Sequence, residues 1–77
     1  MVKGPVRRLR GYWVLLERVE EGRPWGVQFG SHDKGDVEIE RIMLREGGTR
    51  GGNLKILKVA SARQADIDEA VRVLNAS

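Results

Sequence analysis

Three adjacent residues, Ser31-His32-Asp33, are of the types that serine hydrolases use in their catalytic triad. A triad needs the histidine placed in space between the nucleophile and the acid, which three consecutive residues seldom achieve. Ser and Asp also accept hydrogen bonds from the free backbone N–H groups at the start of a helix. We therefore predict that Ser31 or Asp33 caps a helix, that the chain has no catalytic residue, and that it is not an enzyme.

A metal or phosphate site also lacks the residues it would need. His32 is the only histidine and cysteine is absent, so metal binding would depend on carboxylates. Those nearby, Asp33, Asp36 and Glu38, do not follow the spacing of a calcium loop. The glycine-rich stretch 47–52 lacks the Gly-Lys-Ser/Thr ending of a P-loop and precedes a predicted strand. We predict no metal, no cofactor and a mobile connection at residues 47–52.

The basic residues are concentrated at the N-terminus. Residues 1–10 carry four basic residues and no acid, whereas residues 11–77 carry ten basic and eleven acidic residues, so the body is close to neutral. Basic residues beside aromatic ones suit single-stranded nucleic acid, which offers phosphates and stacking bases. The pattern predicts a flexible arm over residues 1–10 and, as an alternative function, weak nucleic-acid binding. The residues predicted to contact phosphate are Arg7, Arg8, Arg10 and Arg50.

The elements that position these residues begin with an apolar hairpin. Residues 11–19 (GYWVLLERV) and 25–30 (WGVQFG) are rich in aromatic and branched side chains, and Gly22 and Pro24 between them indicate a turn. In the first strand, alternation assigns Tyr12, Val14 and Leu16 to one face and Trp13, Leu15 and Val19 to the other. In the second strand it assigns Trp25, Val27 and Phe29 to a single face.

Residues 31–48 fit two elements. A helix would begin at Ser31 or Asp33 and end at Gly47, but its apolar residues are divided between two sides. Ile39, Ile42 and Met43 cluster on one side, while Val37 and Leu44 point nearly opposite. A strand would place Val37, Ile39 and Met43 on one face. The helix is favoured, and the choice between helix and strand stays open for Val37–Leu44.

A third strand and a second helix complete the chain. Residues 54–60 (LKILKVA) read as a strand, and Ser61 with Gln64 forms a capping box before an amphipathic helix. The order ββαβα predicts an α+β fold, a small two-layer domain over residues 11–77. We expect a three-stranded antiparallel sheet with both helices on one face. No internal repeat is evident. The apolar face of the last helix consists of Ile67, Ala70, Val71 and Leu74.

From Tyr12 to Asn75 the chain resembles a set of short, uncharacterised proteins of proteobacteria and their phages or prophages. The resemblance rests on the strand YWVLLERV, a glycine turn, the W and FG of the second strand before Asp33-Lys34, the strand LKILKVA and the helix IDEAVRVLN. These motifs build a fold and carry no activity. The resemblance implies a bacterial or phage cytoplasmic setting and an accessory role.

The small size of the chain favours self-association. A chain of 77 residues buries only about 60% of its unfolded surface, so self-association would supplement its core. No apolar run approaches the roughly 20 residues that span a membrane, which predicts a soluble, cytoplasmic protein. One helical layer would leave one face of the hairpin uncovered. The leading hypothesis is therefore a non-enzymatic protein-interaction module, in one version a homodimer, that binds its partner through Tyr12, Trp13 and Leu15.

Overall fold

The computed structural model describes residues 11–77. The predicted arm, residues 1–10 with Arg7, Arg8 and Arg10, lies outside the described residues. A 3-10 turn at Gly51–Asn53 precedes the third strand. The elements, in chain order, are β1 (Tyr12–Glu17), β2 (Gly26–Ser31), α1 (Lys34–Glu46), β3 (Leu54–Val59) and α2 (Gln64–Ala76).

The three strands form one antiparallel sheet in the order β2-β1-β3, with β1 in the centre. The predicted α+β class, the ββαβα order and the antiparallel sheet are confirmed. A helix and not a strand occupies residues 34–46. Asp33 is its N-cap, since the carboxylate accepts a hydrogen bond of 2.8 Å from the backbone N–H of Gly35. The helix ends at Gly47, and Gly48 takes φ +115°, a conformation that favours glycine.

The two helices cover opposite faces of the sheet, which corrects the predicted placement of both on one face. Val14 and Leu16 of β1 point to one face, where they pack with Ile67 of α2. Leu15, between them in sequence, points to the other face and packs with Val37 of α1. The centre of β1 is apolar on both sides, so each side needs its own helix. The domain therefore has three layers, helix, sheet and helix.

A bulge in β2 redirects one aromatic side chain. Leu15 pairs with Phe29 and the next residue, Leu16, pairs with Val27, so Gln28 is an extra residue in β2. Phe29 consequently faces α1, whereas Trp25 packs on the α2 side. The prediction that these aromatic residues share a face is wrong for Phe29, because strict alternation allows no extra residue.

The segments β2–α1 and β3–α2 form an internal repeat that was not evident in the sequence. Each strand pairs with one side of β1 and leads into a 13-residue helix, and the two helices lie on opposite faces. A half-turn about the axis of β1 therefore relates the two halves in topology. Matching residues stand 30 positions apart: Ser31 and Ser61, Asp36 and Asp66, Val37 and Ile67, Leu44 and Leu74.

The repeat extends to the way each helix begins. The Ser31 hydroxyl accepts a hydrogen bond from Asp33 N–H at 3.0 Å and donates one to Asp36 at 3.2 Å. The Ser61 hydroxyl accepts from Arg63 N–H at 3.1 Å and donates to Asp66 at 2.6 Å. The second helix thus begins after Arg63. The predicted capping box of Ser61 with Gln64 is wrong, because Ser61 lies two residues before the N-cap residue, Arg63.

Candidate protein-interaction surface

The sheet faces of the hairpin, predicted as a binding surface, are covered. Leu15 is fully buried between the sheet and α1 and cannot contact a partner. Tyr12 is half-buried on the α2 side, against the core formed by Val14 and Leu16. Trp13 is half-buried on the α1 side. The structure therefore does not join Tyr12, Trp13 and Leu15 into one exposed surface, since Tyr12 faces the opposite side of the sheet from the other two.

The side chains of Ser31, His32 and Asp33 do not form a triad. The hydroxyl of Ser31 and the carboxylate of Asp33 serve the start of α1, as the sequence predicted. His32 turns away from both, with Nδ1 2.9 Å from the carbonyl oxygen of Gly11 and its ring edge-on to Tyr12. A histidine nitrogen facing a carbonyl oxygen must carry the proton and donate it. The arrangement therefore joins the start of β1 to the start of α1.

An exposed apolar stripe runs along the outer side of α1. Ile39, Ile42 and Met43 are 59%, 51% and 58% exposed, while Val37 and Leu44 of the same helix face the sheet. Their spacing of three and four residues makes them neighbours on one helix face. We call these three side chains the outer stripe. The cluster follows from the sequence alone, but the side of α1 that faces the sheet does not.

The second helix has charged residues at two positions that are equivalent to the outer stripe. The residues of α2 that match Ile39 and Ile42 in the repeat are Glu69 and Arg72. They form an exposed ion pair, with Arg72 Nη2 2.6 Å and Nε 3.1 Å from the two carboxylate oxygens. The hydrogen bonds from Arg72 and then its positive charge hold the pKa of Glu69 below its usual value. The fold therefore does not require apolar residues at this position.

Charged residues of both signs border the outer stripe. Lys34 and Glu38 lie towards its N-terminal end, with their charged atoms 3.8 Å apart. Arg45 and Glu46 lie at the C-terminal end and, with Ile42, line a cleft of about 270 Å³. On the other side of the stripe, Asp36 lies three residues before Ile39 and Glu40 three before Met43, so the border carries two positive and four negative charges.

Of the basic residues predicted to contact phosphate, Arg50 is the one that lies within the described part of the chain. Gly11, which follows the arm, lies next to the end of β3, because Tyr12 pairs with Val59. Arg50 precedes β3 and lies at the other end, about 20 Å away over six paired residues. Near Gly11, the ammonium groups of Lys34 and Lys58 lie 5.1 and 5.4 Å from the centre of the Trp13 ring.

Arg18 connects the end of β1 to the 3-10 turn and to the start of β2. Its guanidinium donates to the side chain of Asn53 at 3.1 Å and to the carbonyl oxygen of Gly52 at 3.0 Å, and it lies 4.5 Å from the centre of the Trp25 ring. The side chain of Asn75 in α2 accepts from the N–H of Trp25 and donates to its carbonyl oxygen. A cleft of about 530 Å³ beside Arg18 is lined by Arg50 but also by Glu20 and Glu21.

Within residues 11–77, no three His, Asp or Glu side chains gather in a way that could hold a metal ion. In the same part of the chain, neither helix is long and apolar enough to cross a membrane. Comparison with known proteins gives no match to a family model, a curated protein or a solved structure. The candidate site therefore depends on the geometry of this chain alone.

Proposed function

We propose that this protein is a non-enzymatic protein-interaction module that self-associates through the outer stripe of α1. One observation carries the proposal: Ile39 and Ile42 occupy the positions at which the equivalent helix has the ion pair Glu69–Arg72. Exposed apolar residues grouped on a rigid helix are typical of interaction surfaces. This surface takes the place of Tyr12, Trp13 and Leu15, which the sequence predicted as the binding residues. A cytoplasmic role in a bacterium or phage, following the resemblance, is part of the proposal.

A second copy of the chain is the partner that fits this surface. The border carries charges of both signs, as the same border of a second copy does. A two-fold pair of stripes would bring six large apolar side chains together and bury area that one small domain leaves exposed. The stripe is narrow beside the roughly 800 Å² per partner of a standard interface. We therefore expect a weak dimer, with a Kd of about 10 to 100 μM.

The test is the molar mass in solution as a function of concentration, by sedimentation equilibrium from about 5 μM to 1 mM. The wild-type mass should rise from 8.6 kDa towards twice that value. The double variant Ile39→Glu/Ile42→Arg copies the charged face of α2 onto α1, so it should keep the helix content and remain a monomer. A monomeric wild type at 1 mM, or a double variant that still dimerises, would refute the proposal.

Val73→Arg is the matched control. Val73 is 54% exposed on α2 and corresponds to Met43 in the repeat, but its helical neighbours at this face are Glu69 and Arg72. The substitution introduces a positive charge at an equally exposed apolar residue outside the outer stripe. Its dimerisation should match that of the wild type, which separates a requirement for the stripe from a general effect of added charge.

The location of Lys34 and Lys58 favours a second function, weak binding of single-stranded nucleic acid. Both ammonium groups lie beside Trp13 at the sheet end that the basic arm joins, so the arm's four basic residues are followed by two more. Asp33, Asp36 and Glu38 lie near this end and reduce its positive charge. Arg50 is too far away to contribute to the same site.

Fluorescence anisotropy with a labelled 20-nucleotide single strand tests this second function. The full chain should bind at low salt, and the slope of log K against log salt should be no steeper than about −4 for six phosphate contacts. Arg7, Arg8 and Arg10 changed together to Ala should abolish binding, and Lys58→Glu should weaken it. Arg50→Glu is the control and should have little effect. Binding that survives the triple substitution would exclude the arm as the site.

A further inference from the structure

We infer that a single strand of nucleic acid lies along the side of α1 that adjoins β3, with its phosphates on Lys34, Arg41 and Arg45. This inference rests on the second proposed function, weak binding of single-stranded nucleic acid, and adds the path of the strand and two phosphate contacts. It is drawn from the placement of charges on α1 and from the surroundings of Arg41.

The three basic residues leave α1 on one side. Arg41 is seven residues after Lys34 and four before Arg45, and both spacings return to nearly the same direction around a helix. The row is about 16 Å long, at about 1.5 Å per residue. We call Lys34, Arg41 and Arg45 the basic flank. A single row of charges suits one nucleic-acid backbone.

The basic flank lies beside β3, as contacts at its two ends show. At the N-terminal end, the ammonium groups of Lys34 and of Lys58 in β3 lie 5.1 and 5.4 Å from the centre of the same Trp13 ring. At the C-terminal end, a Cβ added at Gly51, just before β3, would be 3.4 Å from Nε of Arg45. Both lysines and Arg45 are exposed, so a ligand can reach the two ends of the row.

Arg41 occupies a position at which the repeat has a core residue. Its equivalent in α2 is Val71, which packs against the core on that side of the sheet. Arg41 is half-buried, and its Nε is buried with no hydrogen-bond partner among residues 11–77. Because such a group lowers stability, the fold does not account for an arginine here. A guanidinium whose stem is buried is held in place, which suits it to bind phosphate.

The two sides of α1 differ in charge. The basic flank has three positive charges and one negative charge, that of Glu38, whereas Asp36 and Glu40 on the other side are both negative. A polyanion is therefore attracted to the first side and repelled from the second. The fold does not require the basic residues, since the matching residues of α2 are uncharged. They are Gln64, Val71 and Asn75.

The basic flank continues the arm. Lys34 lies beside Trp13 at the sheet end where Gly11 follows the arm, so arm and flank can contact one strand in succession. Trp13 also offers an aromatic surface to a base, which an acidic peptide would not use. These features favour nucleic acid over an acidic protein segment.

The first test compares two variants of the full chain that remove the same charge from opposite sides of α1. Affinity for the labelled 20-nucleotide single strand is measured at about 0.1 M salt, where charges more than about 10 Å apart are largely screened. Glu38→Gln should tighten binding about threefold, whereas Glu40→Gln should leave the Kd within about 1.5-fold of the wild type. A gain in affinity cannot arise from unfolding.

The second test removes one phosphate contact at a time. Arg41→Gln and Arg45→Gln should each weaken binding about fivefold at 0.1 M salt and reduce the slope of log K against log salt by about 0.7. These two contacts extend the limit of the wild-type slope from about −4 to about −5.6. Arg72→Gln removes the same charge from α2 and should change neither quantity. Circular dichroism establishes that each variant retains its helices.

The outcomes separate this inference from the function on which it rests. If Arg41→Gln binds like the wild type, or Glu40→Gln gains as much as Glu38→Gln, the basic flank is not the path of the strand. Weak nucleic-acid binding through the arm would still stand in that case if the triple arm substitution abolishes binding. A full chain that does not bind at low salt would overturn both. A preference for poly-glutamate over the single strand would assign the flank to an acidic protein segment and overturn the inference.

Discussion

The ring of Tyr12 in β1 lies across Gly30 of β2. A Cβ added at Gly30 would be 2.6 Å from the Tyr12 hydroxyl oxygen and 2.7 Å from Cε2. Val14 is the direct partner of Gly30, so Tyr12 reaches it diagonally across the strand pair. The ring of His32 meets Tyr12 edge-on, with the centroids 4.9 Å apart. Gly30 is therefore required by a close side-chain approach and not by an unusual backbone angle.

Replacing Gly30 by alanine should destabilise the domain. The added methyl group overlaps an aromatic ring that the core and His32 hold in place, so the ring must move, and overpacking of this kind costs about 1 to 3 kcal/mol in free energy of unfolding. Urea unfolding followed by tryptophan fluorescence measures the change. Gly26→Ala in the same strand is the control, because its added Cβ would come no closer than 4.0 Å to another atom. Equal stability of both variants would contradict the close packing of Tyr12.

The face of α1 that contacts the sheet can be tested with two truncations. Val37 is fully buried and Ile39 is 59% exposed. Val37→Ala should lower the free energy of unfolding by about 2 kcal/mol, while Ile39→Ala, which removes a larger group, should change the monomer by less than about 0.5 kcal/mol. Thermal unfolding at about 1 μM, well below the expected Kd of the dimer, makes the comparison. A larger loss for Ile39→Ala would mean that α1 packs through its other side.

The ambiguity at α1 shows what the sequence could and could not predict. The order of elements followed from local patterns, because turns, strands and helices each depend on neighbouring residues. The side of α1 that packs could not be chosen from α1 alone, since Ile39, Ile42 and Met43 outnumber Val37 and Leu44. Comparison with α2 resolves it: Val37 and Leu44 match Ile67 and Leu74, which face the sheet. The repeat is not evident in the sequence because few of its positions carry the same residue type.

No local sequence pattern indicates which face of the sheet each helix covers or which face Phe29 occupies. Alternation in β1 showed two apolar faces, and both readings, one helix on each face or a face left for a partner, satisfied it. The distinction depends on the side of the sheet on which the β2–α1–β3 crossover passes and on the side to which α2 folds, which are long-range properties that short patterns do not encode. The bulge at Gln28 likewise depends on pairing with β1, so it could not be read from β2 alone.

Asn75 fixes the end of α2 to the start of β2. Its amide oxygen is 2.8 Å from the N–H of Trp25, and its amide nitrogen is 3.2 Å from the carbonyl oxygen of the same residue. Asn75→Ala should therefore cost about 1 to 2 kcal/mol in free energy of unfolding and increase the exposure of Trp25 to acrylamide quenching. Gln64→Ala, which removes an exposed side-chain hydrogen bond at the other end of α2, should leave the quenching unchanged. Unchanged quenching in Asn75→Ala would show that the amide does not hold Trp25.

The pair Glu69–Arg72 makes a prediction about pH. Hydrogen bonds from Arg72, and then its charge, lower the pKa of Glu69 in the folded protein. A carboxyl whose folded pKa is lowered contributes stability above its ordinary pKa of about 4.3, and the contribution disappears as pH falls through the lowered value. NMR titration of the Glu69 side-chain carboxyl should give a pKa below the ordinary value, and Arg72→Gln should return it to about 4.3. Arg63→Gln, which leaves Arg72 in place, should not move it. A wild-type pKa at the ordinary value would show that the ion pair does not persist in solution.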